Sequence, residues 1–363
     1  MGDIRTELSR LVALVCVSAL ISGHNVAQER TPSQSIVSQA DKYLNTLAQD
    51  GLFSGSVLLA HDGKVLLGRG YGMANLEYGI RNGPQTKFLM ASLTKQFTAM
   101  AIMMLQERGQ LDINDSICKY IAQCPTSWLH VKLQHLLNHT SGITEFGKPQ
   151  PANDCFRRTP MTTTDAVARA RQFVPDFKPG EKFAYSSIAF VLLGYVIEKV
   201  SGKSYEDFLR GNIFEPLNMT NTGLYHQKSI IKQRAAGYAR AKDGSISNFD
   251  YFNLDYIFSA GGLYSTVEDL YLWDQALYTE KLVKQKILNQ IFTPGLENFG
   301  YGWEILLQKN RRLIRSDGRS FGFSNSIVRY PAEKVTVIVL SNIDTAGASK
   351  IADDLSAIIF SGQ

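Results

Sequence analysis

The sequence predicts an α+β protein in which one antiparallel sheet, flanked by helices from both ends of the chain, carries an inserted all-helical subdomain. Two apolar runs near the start, 55–61 and 64–70, surround Asp62-Gly63, which is a strong hairpin signal. A lone hairpin is unstable, so it must join other strands in one sheet. Four strand-like runs near the end supply them: 301–307, 311–316, 324–330 and 335–341.

Helical patterns occupy the two ends and the middle of the chain. The terminal helices are predicted at 41–48 and 350–360, and both should cover the sheet. The others are predicted at 131–138, 164–173 with Thr164 as its cap, 188–200, 205–214, after a capping box at Ser265 and Glu268, and at 284–292. Residues 221–258 show no clear period. This order assigns about 40–75 and 260–363 to the α/β part and about 76–259 to the helical part.

The chain is organised around a predicted helix that Ser92 opens and Gly109 closes. Its run 97–105 is apolar except for Thr98, and a helix that is apolar all round is a buried one. Ser92 and Lys95 are three residues apart, so they lie on the same face about one turn from each other.

This spacing has a chemical consequence. Burial disfavours the charged form of an amine, and a neutral amine beside a hydroxyl can take its proton, which makes Ser92 a nucleophile. The helix N-terminus also offers N–H groups to an oxyanion. The alternative is that Ser92 is only an N-cap. The same S-x-x-K spacing recurs at Ser116 with Lys119 and at Ser229 with Lys232, so the motif alone does not decide.

Composition excludes some classes of protein. The 363 residues are 44% hydrophobic, and the net charge of +5 is spread without a Lys/Arg block, so no nucleic-acid partner is predicted. Residues 1–30 have the pattern of a secretory signal peptide, with Arg5 and Arg10 before the apolar run 11–21 and a candidate cleavage point at Ala27. The expected location is therefore periplasmic or secreted, with no stable membrane span after cleavage; an uncleaved anchor is the alternative.

Cysteines and histidines give weaker signals. In an oxidising compartment one pair among Cys118, Cys124 and Cys155 could form a disulfide, or all three could stay unpaired, and the sequence does not say which. His135 and His139 are four residues apart with His130 nearby, but no carboxylate or cysteine completes a recognisable metal set. Neither a metal nor a cofactor is predicted.

Four motifs together resemble the serine β-lactamase and penicillin-binding protein superfamily, in the branch with class C β-lactamases, D-Ala-D-Ala carboxypeptidases, D-aminopeptidases and β-lactamase-like esterases. They are S-L-T-K at 92–95, L-L-N-H-T-S-G at 136–142, Y-S-S at 185–187 and G-G-L-Y-S-T-x-x-D-L at 261–270. The resemblance covers roughly 40–362, within a domain of 31–363. It implies that Ser92 is acylated, that Lys95 helps to deprotonate it, and that Tyr185 shares the proton transfer. It also implies a structural role for the turn 139–142.

The chain departs from the family pattern at two motifs. Ser187 stands where the second motif usually has Asn, and the third motif, usually Lys-Thr-Gly or His-x-Gly, is matched by Ser316-Asp317-Gly318. The alternative for Ser187 is that it is only the N-cap of the following helix. The resemblance implies that the N–H of Arg319 joins that of Ser92 in the oxyanion hole. Strand alternation points Arg315 away from the site if Ser316 points in, while Arg319 could supply charge. Substrate contacts are therefore expected from Ser187, Ser316, Gly318 and Arg319.

These features predict a secreted serine hydrolase that forms an acyl-enzyme with a small-molecule or short-peptide substrate. The missing third-motif cation argues against penicillins and D-Ala-D-Ala peptides and favours an ester or amide without that carboxylate. A D-Ala-D-Ala carboxypeptidase or weak β-lactamase is the first alternative, and a non-catalytic penicillin-binding or sensor homologue is the second. Ser320 lies in a G-x-S-x-G match, but a strand pattern follows it and no His comes later, so it is not the predicted nucleophile. The oligomeric state stays open.

Overall fold

The computed structural model describes residues 32–143 and 161–362. In chain order its strands are β1 (Gly55–His61), β2 (Lys64–Tyr71), β3 (Met73–Asn75), β4 (Ile80–Arg81), β5 (Phe88–Leu89), β6 (Gly223–Leu224), β7 (Tyr238–Arg240), β8 (Ile246–Asn248), β9 (Leu263–Ser265), β10 (Glu304–Gln308), β11 (Arg311–Ser320), β12 (Phe323–Tyr330) and β13 (Val335–Ser341). The helices are α1 (Pro32–Gln49), α2 (Thr94–Glu107), α3 (Leu133–Leu137), α4 (Thr163–Ala170), α5 (Ser187–Ser201), α6 (Tyr205–Leu209), α7 (Glu215–Leu217), α8 (Phe258–Gly261), α9 (Val267–Ala276), α10 (Gln285–Ile291) and α11 (Ala348–Ser361).

The predicted α+β fold class is confirmed by a six-stranded antiparallel sheet of order β10-β11-β12-β13-β1-β2. The N-terminal hairpin joins the C-terminal strands because β1 pairs along its whole length with β13, from Gly55 opposite Ser341 to His61 opposite Val335. The hairpin turn at Asp62 and Gly63 is left-handed at both residues, with φ of 52° and 74°, as a two-residue Asp-Gly turn requires.

Helices cover both faces of this sheet. Alternation along β13 sends Val337 and Val339 toward the terminal helices α1 and α11, and sends Ile338 and Leu340 toward the helical part. A sheet buried on both faces has strands that are apolar throughout, and β13 is buried at all seven positions.

Helix α2 lies in the interior of the helical layer. Residues Thr94 to Leu105 are all buried, as the apolar run predicts. The ring of Phe97 packs on Trp273 of α9 with 4.3 Å between centroids, and Trp273 Nε1 donates to Gln96 Oε1 at 2.6 Å. Helix α9 is fixed to the sheet in turn by a buried ion pair between Asp274 and Arg329 on β12, at 2.7 Å. The helix that carries the candidate nucleophile is therefore held from several sides.

Several predicted boundaries and caps were wrong. Helix α4 is capped by Thr162 rather than Thr164, and α9 is capped by Thr266 rather than Ser265. In both cases the threonine hydroxyl accepts the N–H of the Asp three residues later. The helix predicted at 205–214 is helical over that range, with an α-helix at Tyr205–Leu209 and a π-helix at Arg210–Phe214. Strand β11 runs four residues past its predicted end, to Ser320.

Some sequence expectations concern residues outside the described ranges. The predicted signal peptide at 1–30 and Cys155 both lie there, and the boundaries proposed for the two parts of the domain stay predictions. Cys118 and Cys124 form a disulfide with 5.2 Å between their Cα atoms. Within 32–143 and 161–362, no helix has the length and apolar character that a membrane span requires.

Candidate active site

Ser92 lies in the middle of a tight turn rather than at the cap of a regular helix. Residues Ala91–Leu93 form one 3₁₀ turn that leads directly into α2 at Thr94. Ala91 has a φ of 48°, in the left-handed region that residues with a Cβ seldom adopt. Because the Ser92 hydroxyl makes no capping hydrogen bond here, the N-cap alternative is not what the structure shows, and Oγ is available to other partners.

Lys95 reaches back along the helix to the Ser92 hydroxyl. Its Nζ donates to Ser92 Oγ at 3.0 Å, to Ser187 Oγ at 3.4 Å and to the carbonyl of Ala260 at 2.9 Å. The residue is only 3% exposed. All three of these partners are neutral oxygens, and together they hold the amine beside the Ser92 hydroxyl.

Tyr185 approaches the same hydroxyl from the other side. Its phenol donates to Ser92 Oγ at 2.8 Å. The Lys95 amine also lies 4.9 Å from the centroid of the Tyr185 ring. The structure therefore brings together the three side chains that the sequence singled out for proton transfer, although Tyr185 is far from the other two in the chain.

The ring of His139 packs against the ring of Tyr185. The two rings are stacked with 4.3 Å between centroids and 28° between planes, and His139 Nδ1 accepts the N–H of Ser186 at 3.0 Å. His139 is fully buried among the rings of Phe183, Phe190 and Phe299, and its backbone has a φ of 59°. Burial holds the pKa of His139 well below its usual value, and the nearby Lys95 charge adds to this effect, so the ring is neutral.

Ser186 is the N-cap of helix α5, and Ser187 contacts Lys95. The cap of α5 is Ser186, whose Oγ accepts the N–H of Ala189 at 3.2 Å. Ser187 is the first helical residue, and its hydroxyl faces Lys95. Ser187 is therefore not the cap of α5, and the substrate contact expected of it stays a prediction.

Strand β11 lies directly against the Ser92 turn. A Cβ on Gly318 would stand 2.2 Å from the Met90 carbonyl oxygen and 3.1 Å from the Ser92 nitrogen, so only glycine permits this approach. A two-residue turn joins β11 to β12, which makes Ser320 and Phe323 a hydrogen-bonded pair. Because backbone groups alternate between the two edges of an antiparallel strand, Arg319 directs its N–H away from β12, to the edge that faces the site.

The side chains of the third motif differ in their surroundings. Ser316 is buried on the face toward α2, while Arg315 pairs with Asp353 of α11, in agreement with the predicted alternation. Asp317 shares the face of Arg315. Burial raises the pKa of the Asp317 carboxyl, against the lowering effect of Ser326 and Arg315. Burial likewise raises the pKa of Glu304, and the Asp317 charge raises it further.

These elements surround a cleft of ≈ 460 Å³, a size suited to a small ligand. Ser92, Lys95, Tyr185 and the run 315–319 line it, together with residues that sequence reasoning did not assign to the site. Those further residues are His139, Phe183, Phe299, Gly302 and Glu304. The aromatic members come from separate loops, so no spacing in the sequence signals them; Asp317 was visible in the third motif but was not assigned a binding role.

The rival motifs lie elsewhere or lack the required geometry. Ser116 caps a 3₁₀ turn, Lys119 pairs with Asp115, and Ser229 and Lys232 are both exposed. Ser320 ends β11 and is followed by a turn and β12, not by the helix that a nucleophile elbow needs. His135 Nδ1 accepts the N–H of Lys132, whereas His139 Nδ1 accepts the N–H of Ser186, so the two histidines have different partners. Among residues 32–143 and 161–362, no group of three or more His, Cys, Asp or Glu side chains is arranged to hold a metal.

Comparison with known sequences shows which family the chain belongs to. The sequence model named Beta-lactamase matches residues 36–359, which is most of the chain. The chain belongs to the Beta-lactamase family. Members similar to it include a putative penicillin-binding protein, PbpX, of Bacillus subtilis, 29% identical over 323 residues that cover 81% of this chain and 79% of that protein. A second penicillin-binding protein of the same organism is 30% identical over 317 residues, covering 82% and 70% of the two chains.

Solved structures of the family share the fold. An octameric penicillin-binding protein homologue from Pyrococcus abyssi superposes with a TM-score of 0.80 at 29% identity, covering 90% of this chain and 77% of that one. A D-stereospecific amidohydrolase from Streptomyces sp. superposes with a TM-score of 0.75 at 25% identity, covering 88% and 97%. The predicted superfamily is thus confirmed over nearly the whole described chain.

Proposed function

We propose that the protein is a serine hydrolase that forms an acyl-enzyme on Ser92. The observation that carries the proposal is the position of Ser92 Oγ, which lies within hydrogen-bond distance of both Lys95 Nζ, at 3.0 Å, and Tyr185 OH, at 2.8 Å. A nucleophile beside a group that can take its proton, itself oriented by further contacts, is the arrangement that covalent catalysis requires.

The chemistry follows from these contacts. Ser92 Oγ attacks the substrate carbonyl and its proton passes to the Lys95 and Tyr185 pair. The carbonyl oxygen gains the negative charge, which the N–H groups of Ser92 and Arg319 stabilise. When the tetrahedral intermediate collapses, the bond to the leaving group breaks and the pair returns the proton to that group. Water then repeats the sequence on the acyl-enzyme, and Ser92 is regenerated.

The proposed substrate is an ester or amide without a carboxylate next to the scissile bond. Where the family pattern has Lys or His, this chain has Ser316, which is buried and carries no charge. Asp317 and Glu304, the carboxyl groups that line the cleft in the described part of the chain, would repel an anionic substrate. Similarity to a D-stereospecific amidohydrolase supports amides as well as esters. We propose a periplasmic or secreted location from the pattern of residues 1–30.

The relatives named as penicillin-binding proteins keep a second function open, namely a D-Ala-D-Ala carboxypeptidase or weak β-lactamase. A non-catalytic sensor is a third. The contacts among Ser92, Lys95 and Tyr185 argue against the sensor, because a binding protein needs no proton acceptor beside the hydroxyl.

A substrate panel tests the proposal. Short p-nitrophenyl esters, D-amino-acid p-nitroanilides and nitrocefin are assayed with the wild-type protein and with Ser92→Ala. We expect kcat/KM for an ester or anilide to exceed that for nitrocefin. Ser92→Ala should abolish the hydrolysis of every substrate in the panel. Faster hydrolysis of nitrocefin would support the β-lactamase instead. If the wild-type protein turns over no substrate faster than Ser92→Ala does, the result would support the non-catalytic sensor instead.

A further inference from the structure

We infer that Asp317 and Glu304 select substrates that carry a positively charged amine near the scissile bond. The inference rests on the proposed function and names the substrate class of the same site. A third-motif strand with Lys or His favours an anionic substrate, whereas β11 with its acidic neighbours would favour a cationic one.

The first step is position. Asp317 lies on β11 one residue before Gly318, which packs against the Ser92 turn, and its side chain is on the face of Arg315, at the part of the strand edge beyond the last residue that pairs with β10. Glu304 begins β10 and lies opposite Arg315, two residues from Asp317 along β11. Both acidic residues border the cleft that also contains Ser92, so a substrate bound for attack reaches them where it extends across this edge of the sheet.

The second step is charge. Arg315 interacts with both carboxyl groups but is already paired with Asp353 of α11, and its side chain is 12% exposed. Three carboxyl groups therefore share one guanidinium. Within residues 32–143 and 161–362, the other basic side chains that line the cleft are Lys95, which is held by neutral oxygens around Ser92, and Arg319, which is exposed near the β11–β12 turn. An added cation beside Asp317 would relieve this local excess of negative charge.

The third step is an independent sign that the cleft accepts a ligand. His139 is fully buried and lines the same space, and its Nε2 has no hydrogen-bond partner within the described part of the chain. Because Nδ1 accepts the N–H of Ser186, the proton of the neutral ring is on Nε2, and a hydrogen-bond acceptor on a ligand in the cleft would recover the free energy that this unpaired buried donor costs.

The acidic pair also predicts a pH dependence. Burial raises the pKa of both carboxyl groups, and their proximity raises that of Glu304 further, so protons and a cationic substrate compete for the same place. The ionised fraction of the pair grows as pH rises through these raised pKa values. KM for a cationic substrate should therefore fall with rising pH over that range, while KM for a neutral substrate should not.

Two matched substrate pairs test the inference. Butyrylthiocholine and its neutral carbon isostere, 3,3-dimethylbutyl thiobutyrate, place the charge in the leaving group. D-alanine p-nitroanilide and D-lactic acid p-nitroanilide place it in the acyl group. In at least one pair we expect the cationic member to have kcat/KM about tenfold higher. The pair that shows the preference identifies the side of the scissile bond that faces Asp317.

Variants tie the preference to the residues. Asp317→Asn and Glu304→Gln should each remove most of the ratio of kcat/KM between the cationic and the neutral member of a pair. Asp62→Asn, the same kind of change in the exposed hairpin turn at the other end of the sheet, should leave the ratio intact. The two separate acidic variants keep the test valid if one of them fails to fold.

The outcomes separate the two proposals. Equal kcat/KM within both pairs, in a protein that hydrolyses the neutral substrates through Ser92, would overturn the charge preference and leave the hydrolase. A wild-type preference that survives both acidic variants would overturn the assignment to these residues. Absence of any Ser92-dependent turnover would overturn both proposals.

Discussion

The ring of Tyr185 rests on the ring of His139, with 4.3 Å between centroids, while Nδ1 of the same histidine accepts the N–H of the next residue, Ser186. One side chain therefore fixes both the plane of the Tyr185 ring and the backbone that follows it. Because Tyr185 is 39% exposed, much of what places its phenol on Ser92 comes from this contact.

We predict that His139→Asn lowers kcat more than it changes KM. Asparagine tolerates the left-handed backbone at this position but removes the stacked ring, so Tyr185 loses its support. We expect kcat on an ester to fall about tenfold and the free energy of unfolding to fall by about 3 kcal/mol. Phe208→Leu, a buried change in the helical part away from the cleft, is the control: it should cost stability and leave kcat unchanged. An equal loss of kcat in the control would mean that general destabilisation explains the effect.

Stability should depend on pH through His139. Burial keeps the pKa of this imidazole well below its usual value, so only the unfolded chain takes up the proton as pH falls below about 6.5. The folded state then loses up to about 1.4 kcal/mol per pH unit from this group. In urea unfolding at pH 7.5 and 5.5, the stability difference between wild type and His139→Asn should therefore narrow by about 1 kcal/mol at the lower pH. A constant or widening difference would show that the histidine is not neutral in the folded state.

Tyr185→Phe separates the hydroxyl from the ring. The variant keeps the stack on His139 and removes the 2.8 Å contact to Ser92, so proton transfer suffers while packing does not. We expect kcat to drop by about 10² to 10⁴ and the free energy of unfolding to change by less than about 0.5 kcal/mol. Steady-state kinetics and a denaturation curve measure the two quantities. Near-normal kcat would remove Tyr185 from the mechanism.

Gly318→Ala tests the close approach of β11 to the Ser92 turn. The added methyl group would overlap the Met90 carbonyl, so the strand must move and the Arg319 N–H must move with it. We predict a loss of about 10² to 10³ in kcat and about 1 to 3 kcal/mol in stability. Gly211→Ala is the matched control, since no atom lies within 4 Å of a Cβ at that position. Full activity of Gly318→Ala would contradict the proposed oxyanion hole.

The sequence was sufficient to predict the frame of this fold. Asp62-Gly63 specifies its own turn, and the run 97–105 has no polar face, so local chemistry alone places the hairpin and the buried helix. The C-terminal strands could be predicted for the same reason, because their apolar runs are bounded by turn residues. The spacing of Ser92 and Lys95 within one helix also specifies their proximity without tertiary information.

What the sequence could not give arises from contacts between distant segments. The stretch 317–320 has no apolar alternation, and it is a strand because it pairs with β12 and packs against the Ser92 turn. His139 supports Tyr185 across a long sequence separation, and Arg315 finds Asp353 on the last helix. Helix caps were displaced by one or two residues because neighbouring Ser and Thr residues compete for the same role, and only the backbone angles decide between them.

The most direct test of the account is the intact mass of the protein after treatment with a fluorophosphonate, followed by mapping of the modified peptide. The account predicts one adduct, located on Ser92, with much slower labelling of Lys95→Ala and none of Ser92→Ala. An adduct on Ser320, or ester hydrolysis by a protein whose Ser92 stays unmodified, would contradict it.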